Sequence, residues 1–174
     1  PPLSPGPCPH CTMVKWAMVS YNVRGMNGFK GLKKFMSLLQ ERKKEMNIVI
    51  ACVQEHNLLE ADHHDIVAIA AKMGYTIIIT YGKADDPESE RGGVFTLIDE
   101  KMFTLKQVTH QEKSFIQVIL TKGEEEIEVA NAYVPARATT AKIDFIQTLR
   151  HRLNKNVYAC GDWNCVHDRA LDVG

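Results

Sequence analysis

Charge of one sign is what this chain most plainly lacks. Lys plus Arg and Asp plus Glu each count 21 over 174 residues, so the formal net charge is zero. A dedicated nucleic-acid binder is usually clearly basic, and bulk attraction to a polyanion is excluded as the organising feature. A protein that engages phosphate only at a metal site does not need such a charge. Long apolar runs are missing too. The longest aliphatic run, Ile48 to Val53, falls far short of the ~20 residues of a membrane span, so no membrane partner is expected. The opening "PPLSPGPCPHC" is proline-rich rather than basic and then apolar, which excludes a secretory signal peptide there. Cysteine is sparse and odd in number, at Cys8, Cys11, Cys52, Cys160 and Cys165. No disulfide framework is read from it, and a reducing intracellular setting, nuclear or cytoplasmic, is expected. "CPHC" is half of a zinc site without a second Cys or His pair at the needed spacing, so this chain alone is not expected to bind zinc.

What is present is a globular composition, 45% hydrophobic and 24% charged, in a length that suits one domain. Residues 1–13 are expected to form a flexible or extended arm, and 14–174 a single domain. The chain does not start with Met and ends without a terminating feature, so it reads as a portion of something longer. Helical spacing recurs in three places: Phe29, Leu32, Phe35, Met36 and Leu39; Ile66, Ile69, Ala70 and Met73; Ile143, Ile146, Leu149 and Leu153. Strand-like runs lie between them: Trp16–Val23, Ile48–Val53, Tyr75–Tyr81, Gly93–Ile98, Phe115–Leu120, Ile127–Tyr133 and Val157–Cys160. Runs such as "IVIACV" are apolar without alternation, which implies cover on both faces. A hairpin is expected with its turn at Lys122–Gly123, and "YGKADDPESERGG" reads as a polar surface loop. Two sheets packed face to face, with helices outside, follow from this pattern.

The polar residues fall at strand ends. "AMVSYN" reaches Asn22, "IACVQE" reaches Glu55, "EVANAYVP" reaches Tyr133, and "VYACGDWN" reaches Asp162 and Asn164. Strand ends within one sandwich can gather at a single edge. A carboxylate ending a buried strand is costly unless it is paired or holds a cation. Glu55 and Asp162, with amide oxygens from Asn22 and Asn164, make an all-oxygen set suited to Mg²⁺ or Mn²⁺ rather than zinc. Taken singly, "GDWN" is a common Asx turn, and Tyr133 before a proline is often packing. Four endings of the same kind favour a site for phosphoryl chemistry.

At these residues the sequence resembles the endonuclease/exonuclease/phosphatase superfamily, and most of all the apurinic-endonuclease-like domain of non-LTR (LINE-type) retrotransposons. The matching pieces are "SYNVRGMNG", "VQEHN", "RGGVFTLID", "NAYVPA" and "GDWNCVHDRALD", in family order from Val19 to Asp172. The resemblance implies an α/β fold, a four-layer α/β/β/α sandwich of two mixed sheets, here with the final strands missing. It implies Mg²⁺-dependent phosphodiester hydrolysis, a DNA substrate, and a place in a longer polyprotein with a reverse transcriptase. It makes Glu55 the principal metal ligand, with Asn22 beside it at metal and phosphate. Asp162 would orient and deprotonate the attacking water, Asn164 would hold that water or a phosphate oxygen, and Tyr133 would hydrogen-bond the phosphate.

Two departures qualify the resemblance. Where the family commonly has an Asn after "YVP", this chain has Ala136. The family's closing Ser-Asp-His segment, and a further Asp before it, do not occur in the residues after Asn164, and His167 reads as a loop histidine. Residues 1–174 by themselves are therefore expected to be inactive or nearly so. A phosphomonoesterase or lipid phosphodiesterase of the same superfamily is the alternative enzyme, and a non-catalytic relic the alternative outside enzymes. His63–His64 with Asp65 reads as a solvated first helical turn, and the lysines from Lys30 to Lys44 as a solvated helix face.

Overall fold

The computed structural model describes residues 16–82, 92–134, 140–153 and 156–164. The expected arm, "CPHC", most of the 81–93 loop, Ala136, Cys165 and His167 lie outside them.

Eight strands and three α-helices are found among the described residues. β1 (Ala17–Asn22), α1 (Gly28–Met46) and β2 (Ile48–Gln54) come first, followed by a short 3₁₀ turn, Glu60–Asp62, and α2 (His63–Lys72). Next are β3 (Tyr75–Ile79), β4 (Val94–Asp99), β5 (Thr104–Glu112), β6 (Phe115–Lys122) and β7 (Glu125–Tyr133). α3 (Thr140–Arg152) and β8 (Val157–Asp162) complete them. The strands form two four-stranded sheets, ordered β1-β2-β4-β3 and β5-β6-β7-β8. β1 with β2 and β7 with β8 are parallel, each pair joined through a helix, while the remaining neighbours are antiparallel. Both sheets are therefore mixed.

Strand alternation builds three cores in four layers. Ala51 and Val53 of β2 and Phe95 and Leu97 of β4 pack under Leu32, Met36 and Leu39 of α1 and Ile66 and Ala70 of α2. The alternate residues Ile50, Cys52, Val94 and Ile98 face the other sheet, against Ile116, Val118, Leu120 and Val129. Phe115, Ala130 and Ala132, on the far face of the second sheet, pack with Leu149 of α3. β2 and β4 are buried along their whole length, as unalternating runs require. The architecture is the α/β/β/α sandwich.

Cys52 is fully buried in the central core beside Cys160, and burial pushes its thiol well above the usual range. At the hairpin Lys122 pairs with Glu125, so the turn is Gly123–Glu124, one residue later than the sequence reading. Gly123 there has φ +60°, which suits a tight two-residue turn. β5 carries no strand signal in its sequence: "TLKQVTHQE" has few apolar residues and lies largely exposed at a sheet edge. α3 forms where expected but turns a different face inward. Leu149 is buried with Phe145 and Leu153 against it, whereas Ile143 and Ile146 are 58% and 40% exposed.

Candidate active site

Parallel pairing sets where the site lies. In the β1–α1–β2 and β7–α3–β8 units, both strands of a pair point the same way, so their carboxyl ends share one edge. Asn22 ends β1, Glu55 follows β2, Tyr133 ends β7 and Asp162 ends β8. The edge strands β1 and β8, from opposite sheets, run close together; at their other end Trp16 meets Tyr158 edge-on at 5.4 Å. The crevice at the carboxyl ends of parallel strands is the usual place for a ligand in an open α/β sheet.

Asn22 joins the two carboxylates. Its Nδ2 donates to Glu55 Oε1 at 2.8 Å and to Asp162 Oδ2 at 2.6 Å. Its Oδ1 accepts from the Arg24 backbone N at 3.0 Å. Groups separated by 140 positions in the chain thus converge on one amide. Asp162 uses its other oxygen, Oδ1, to accept from the Asn164 backbone N at 3.0 Å. The Asn164 side chain turns away from the carboxylates and donates to the Val134 carbonyl at 2.7 Å. Tyr133 is the register partner of Asp162, so the two side chains leave their sheet on the same face. The Tyr133 ring packs half-buried against the central core.

The backbone is bent to make this arrangement. Arg24, Glu55 and Asn164 have left-handed φ values of 48°, 55° and 45°, and Asn57 beside them has 52°. Such a conformation costs a residue other than glycine about 1–3 kcal/mol, and it clusters at functional sites. For Glu55 it releases the side chain from strand alternation and aims it at Asn22. The bend is held by backbone bonds from Gly25 N to the Glu55 carbonyl (2.7 Å) and from Met26 N to the His56 carbonyl (2.8 Å).

Three residues inside the pieces "VQEHN" and "NAYVPA" support the site although the sequence alone gives them no role. Gln54, fully buried, donates to Asn131 Oδ1 at 2.8 Å and accepts from the Ser20 hydroxyl at 3.3 Å. Asn131, also fully buried, donates to the Phe95 carbonyl at 2.9 Å. These bonds tie the two sheets together directly behind the carboxylates. His56 is the third. Its Nδ1 accepts from Leu58 N at 2.9 Å, so its proton sits on Nε2, which donates to the Thr80 carbonyl at 2.8 Å. Gly93 must lack a side chain here, because a Cβ would press on both His56 and Thr80. "RGG" and the histidine of "VQEHN" are both legible in sequence; their contact is not.

His63 and His64 are exposed in the first turn of α2, as expected. His63 Nδ1 bonds the Tyr81 hydroxyl at 2.9 Å, and burial pushes that phenol up to about 12.

A hard divalent cation is the group this donor chemistry suits: two carboxylates brought together at strand ends, with no histidine or thiol in the set. Among the described residues no group of three or more acidic, His or Cys side chains is placed to hold a metal ion, and a cation at the two carboxylates would complete its shell with substrate and water. No helix among them is long and apolar enough to cross a membrane.

No protein-family model matches the sequence, and no curated protein matches it. Solved structures do match the fold. The endonuclease domain of TRAS1, a telomere-specific non-LTR retrotransposon, aligns with TM-score 0.57 and 11% identity over 87% of this chain and 62% of that one. An endonuclease/exonuclease/phosphatase family protein from Bacteroides thetaiotaomicron aligns with TM-score 0.55 and 14% identity over 84% and 62%. D. rerio TDP2 complexed with single strand DNA product aligns with TM-score 0.55 and 13% identity over 90% and 63%. The chain spans less than two thirds of the length of each of these three. Its fold is that of the endonuclease/exonuclease/phosphatase proteins.

Proposed function

We propose that this chain carries most of the site of a divalent-metal-dependent phosphodiesterase acting on DNA, the nicking endonuclease domain of a retrotransposon-like protein. The observation that supports this best is the single amide of Asn22 bonded to the carboxylates of Glu55 and Asp162. The fold shared with the TRAS1 endonuclease domain and with DNA-bound TDP2 agrees with a DNA substrate.

Glu55 would hold Mg²⁺ or Mn²⁺, joined by the Asn22 Oδ1 once that amide turns from the Arg24 N–H it accepts from. Such an ion, when bound, supplies positive charge to the phosphoryl oxygen and to the departing alkoxide. The chain's own groups do the rest by position. Asp162 accepts the proton of the attacking water, in a carboxylate whose plane is set by Asn22 on one oxygen and Asn164 N on the other. Tyr133 donates its hydroxyl to the phosphate as negative charge grows there. Asn164 holds the water or a phosphate oxygen once its amide leaves the Val134 carbonyl. The Ser-Asp-His segment that the resemblance places downstream is not among residues 165–174. The 174-residue chain is therefore expected to bind the cation yet cleave DNA at a negligible rate.

Mn²⁺ titration followed by water-proton relaxation tests the metal site. The parent should show one saturable site, and Glu55→Gln should weaken it at least about tenfold, ~1.4 kcal/mol. Lack of saturable binding by the parent would sink the proposal. Robust plasmid nicking by this chain would instead overturn only its expected inactivity.

A further inference from the structure

α1 and α3 both begin at the edge that carries the site, because each follows a strand that ends there. The third residue of each helix is a lysine, Lys30 in α1 and Lys142 in α3, and neither helix has an acidic residue in its first turn. A cation in the first turn opposes the helix dipole and is ordinarily disfavoured. Lys142 is nonetheless half-buried, and its Nζ donates to the backbone carbonyl of Asn164 at 2.8 Å.

Asn164 is the pivot of the Asp162 carboxylate. It is held in the left-handed region at φ 45°, and its N–H closes a local turn onto Asp162 Oδ1 at 3.0 Å. Its side chain is fastened to Val134 and its carbonyl to Lys142, so three bonds in three directions fix one strained residue. The Val134 bond is the one that the proposed catalytic role of Asn164 would break. The Lys142 bond is then what keeps the backbone turned while the side chain moves.

We infer that Lys142 is a positioning residue of this site: through the Asn164 carbonyl it holds the backbone that orients Asp162. The inference rests on reading Asp162 and Asn164 as the groups that handle water and phosphate. No such role follows from a solvated first-turn lysine, which would point away from the strand end.

The test uses the full 174-residue chain and amide hydrogen exchange resolved by residue. Lys142→Met should speed exchange of the Asn164 amide about tenfold, while Lys142→Arg, which keeps a charged donor, should restore it to within about twofold of the parent. Lys30→Met removes the same charge from the matching turn of α1 and should leave that amide unchanged. An Asn164 amide equally protected in folded Lys142→Met, or equally exposed in the methionine and arginine variants, overturns the role. Mn²⁺ affinity should be the same in the parent and Lys142→Met, because Glu55 is untouched; a tenfold loss would mean that the lysine acts on the whole edge and would also overturn it. If the parent binds no Mn²⁺, the proposed function fails, yet the exchange comparison still decides whether Lys142 fixes Asn164.

Discussion

His56 is a histidine that the fold keeps neutral. With no exposed surface, both ring nitrogens bonded and Phe95 tilted against it at 5.4 Å, it pays for any proton in lost solvation. Burial lowers its pKa to about 4, and the bond to the Thr80 carbonyl offsets only part of that fall. Protonation would also turn Nδ1 into a donor facing the Leu58 N–H. A histidine whose folded pKa lies below its unfolded value contributes full stability above the unfolded value, near pH 6.5, and loses it as pH falls toward the folded one. The loss should total on the order of 3 kcal/mol once pH 4 is passed. Urea unfolding at pH 7.5 and pH 4.5 measures it, and His56→Gln, which keeps a donor for Thr80, should flatten the difference between the two. An equally steep fall in the glutamine variant would assign the pH dependence to carboxylates instead.

Among the elements, β8 carries the most chemistry on the least tolerant backbone. Gly161 lies opposite Ala132 in the β7–β8 register, so close that a Cβ would land on the Ala132 carbonyl oxygen. Gly161→Ala should therefore push β8 from β7 and lower stability by more than about 2 kcal/mol. Chemical denaturation checks this, and a loss below about half a kcal/mol would mean that the close approach is not maintained in solution. The strands themselves were easy to read. β2 and β4 are apolar without a break because both faces are covered, and Asn22, Glu55 and Asp162 stood out as polar residues closing such runs. β5 was illegible because its residues face water and stabilise the sheet through backbone bonds and cross-strand contacts rather than apolar spacing. The α3 stripe misled for a related reason. Ile143, Ile146, Leu149 and Leu153 share a helical face by spacing alone, but Phe145 is the residue that joins Leu149 and Leu153 against the sheet. Gln54 and Asn131 stand inside "VQEHN" and "NAYVPA", but their bonds, like that of Lys142, were silent in sequence because the partners lie 77, 36 and 22 positions away, and only the finished fold names them.

For the whole molecule, the question is what keeps two sheets in one relative position, since Asn22 and Glu55 belong to the first and Asp162 to the second. Apolar contact in the central core holds them together without direction. A fully buried directional link is Asn131 of β7, which accepts from Gln54 of β2 and donates to the Phe95 carbonyl of β4. Buried polar bonds of this kind add modest net stability but fix a unique arrangement when all members are satisfied. Asn131→Ala should cost ~2–3 kcal/mol, because it leaves a cavity and groups without partners. It should also weaken Mn²⁺ binding, although Asn131 is no ligand, because it releases Gln54, the residue that immediately precedes Glu55. Lys106→Ala provides the contrast. It removes an ion pair to Glu126 on the solvent face of the second sheet, with side chains 53% and 46% exposed. An exposed pair of that kind is worth less than about 1 kcal/mol, and cation affinity should not change. If Asn131→Ala loses stability while the folded fraction binds Mn²⁺ as tightly as the parent, the sheets keep their relative position without this link, and the Gln54–Asn131 pair serves folding rather than the site.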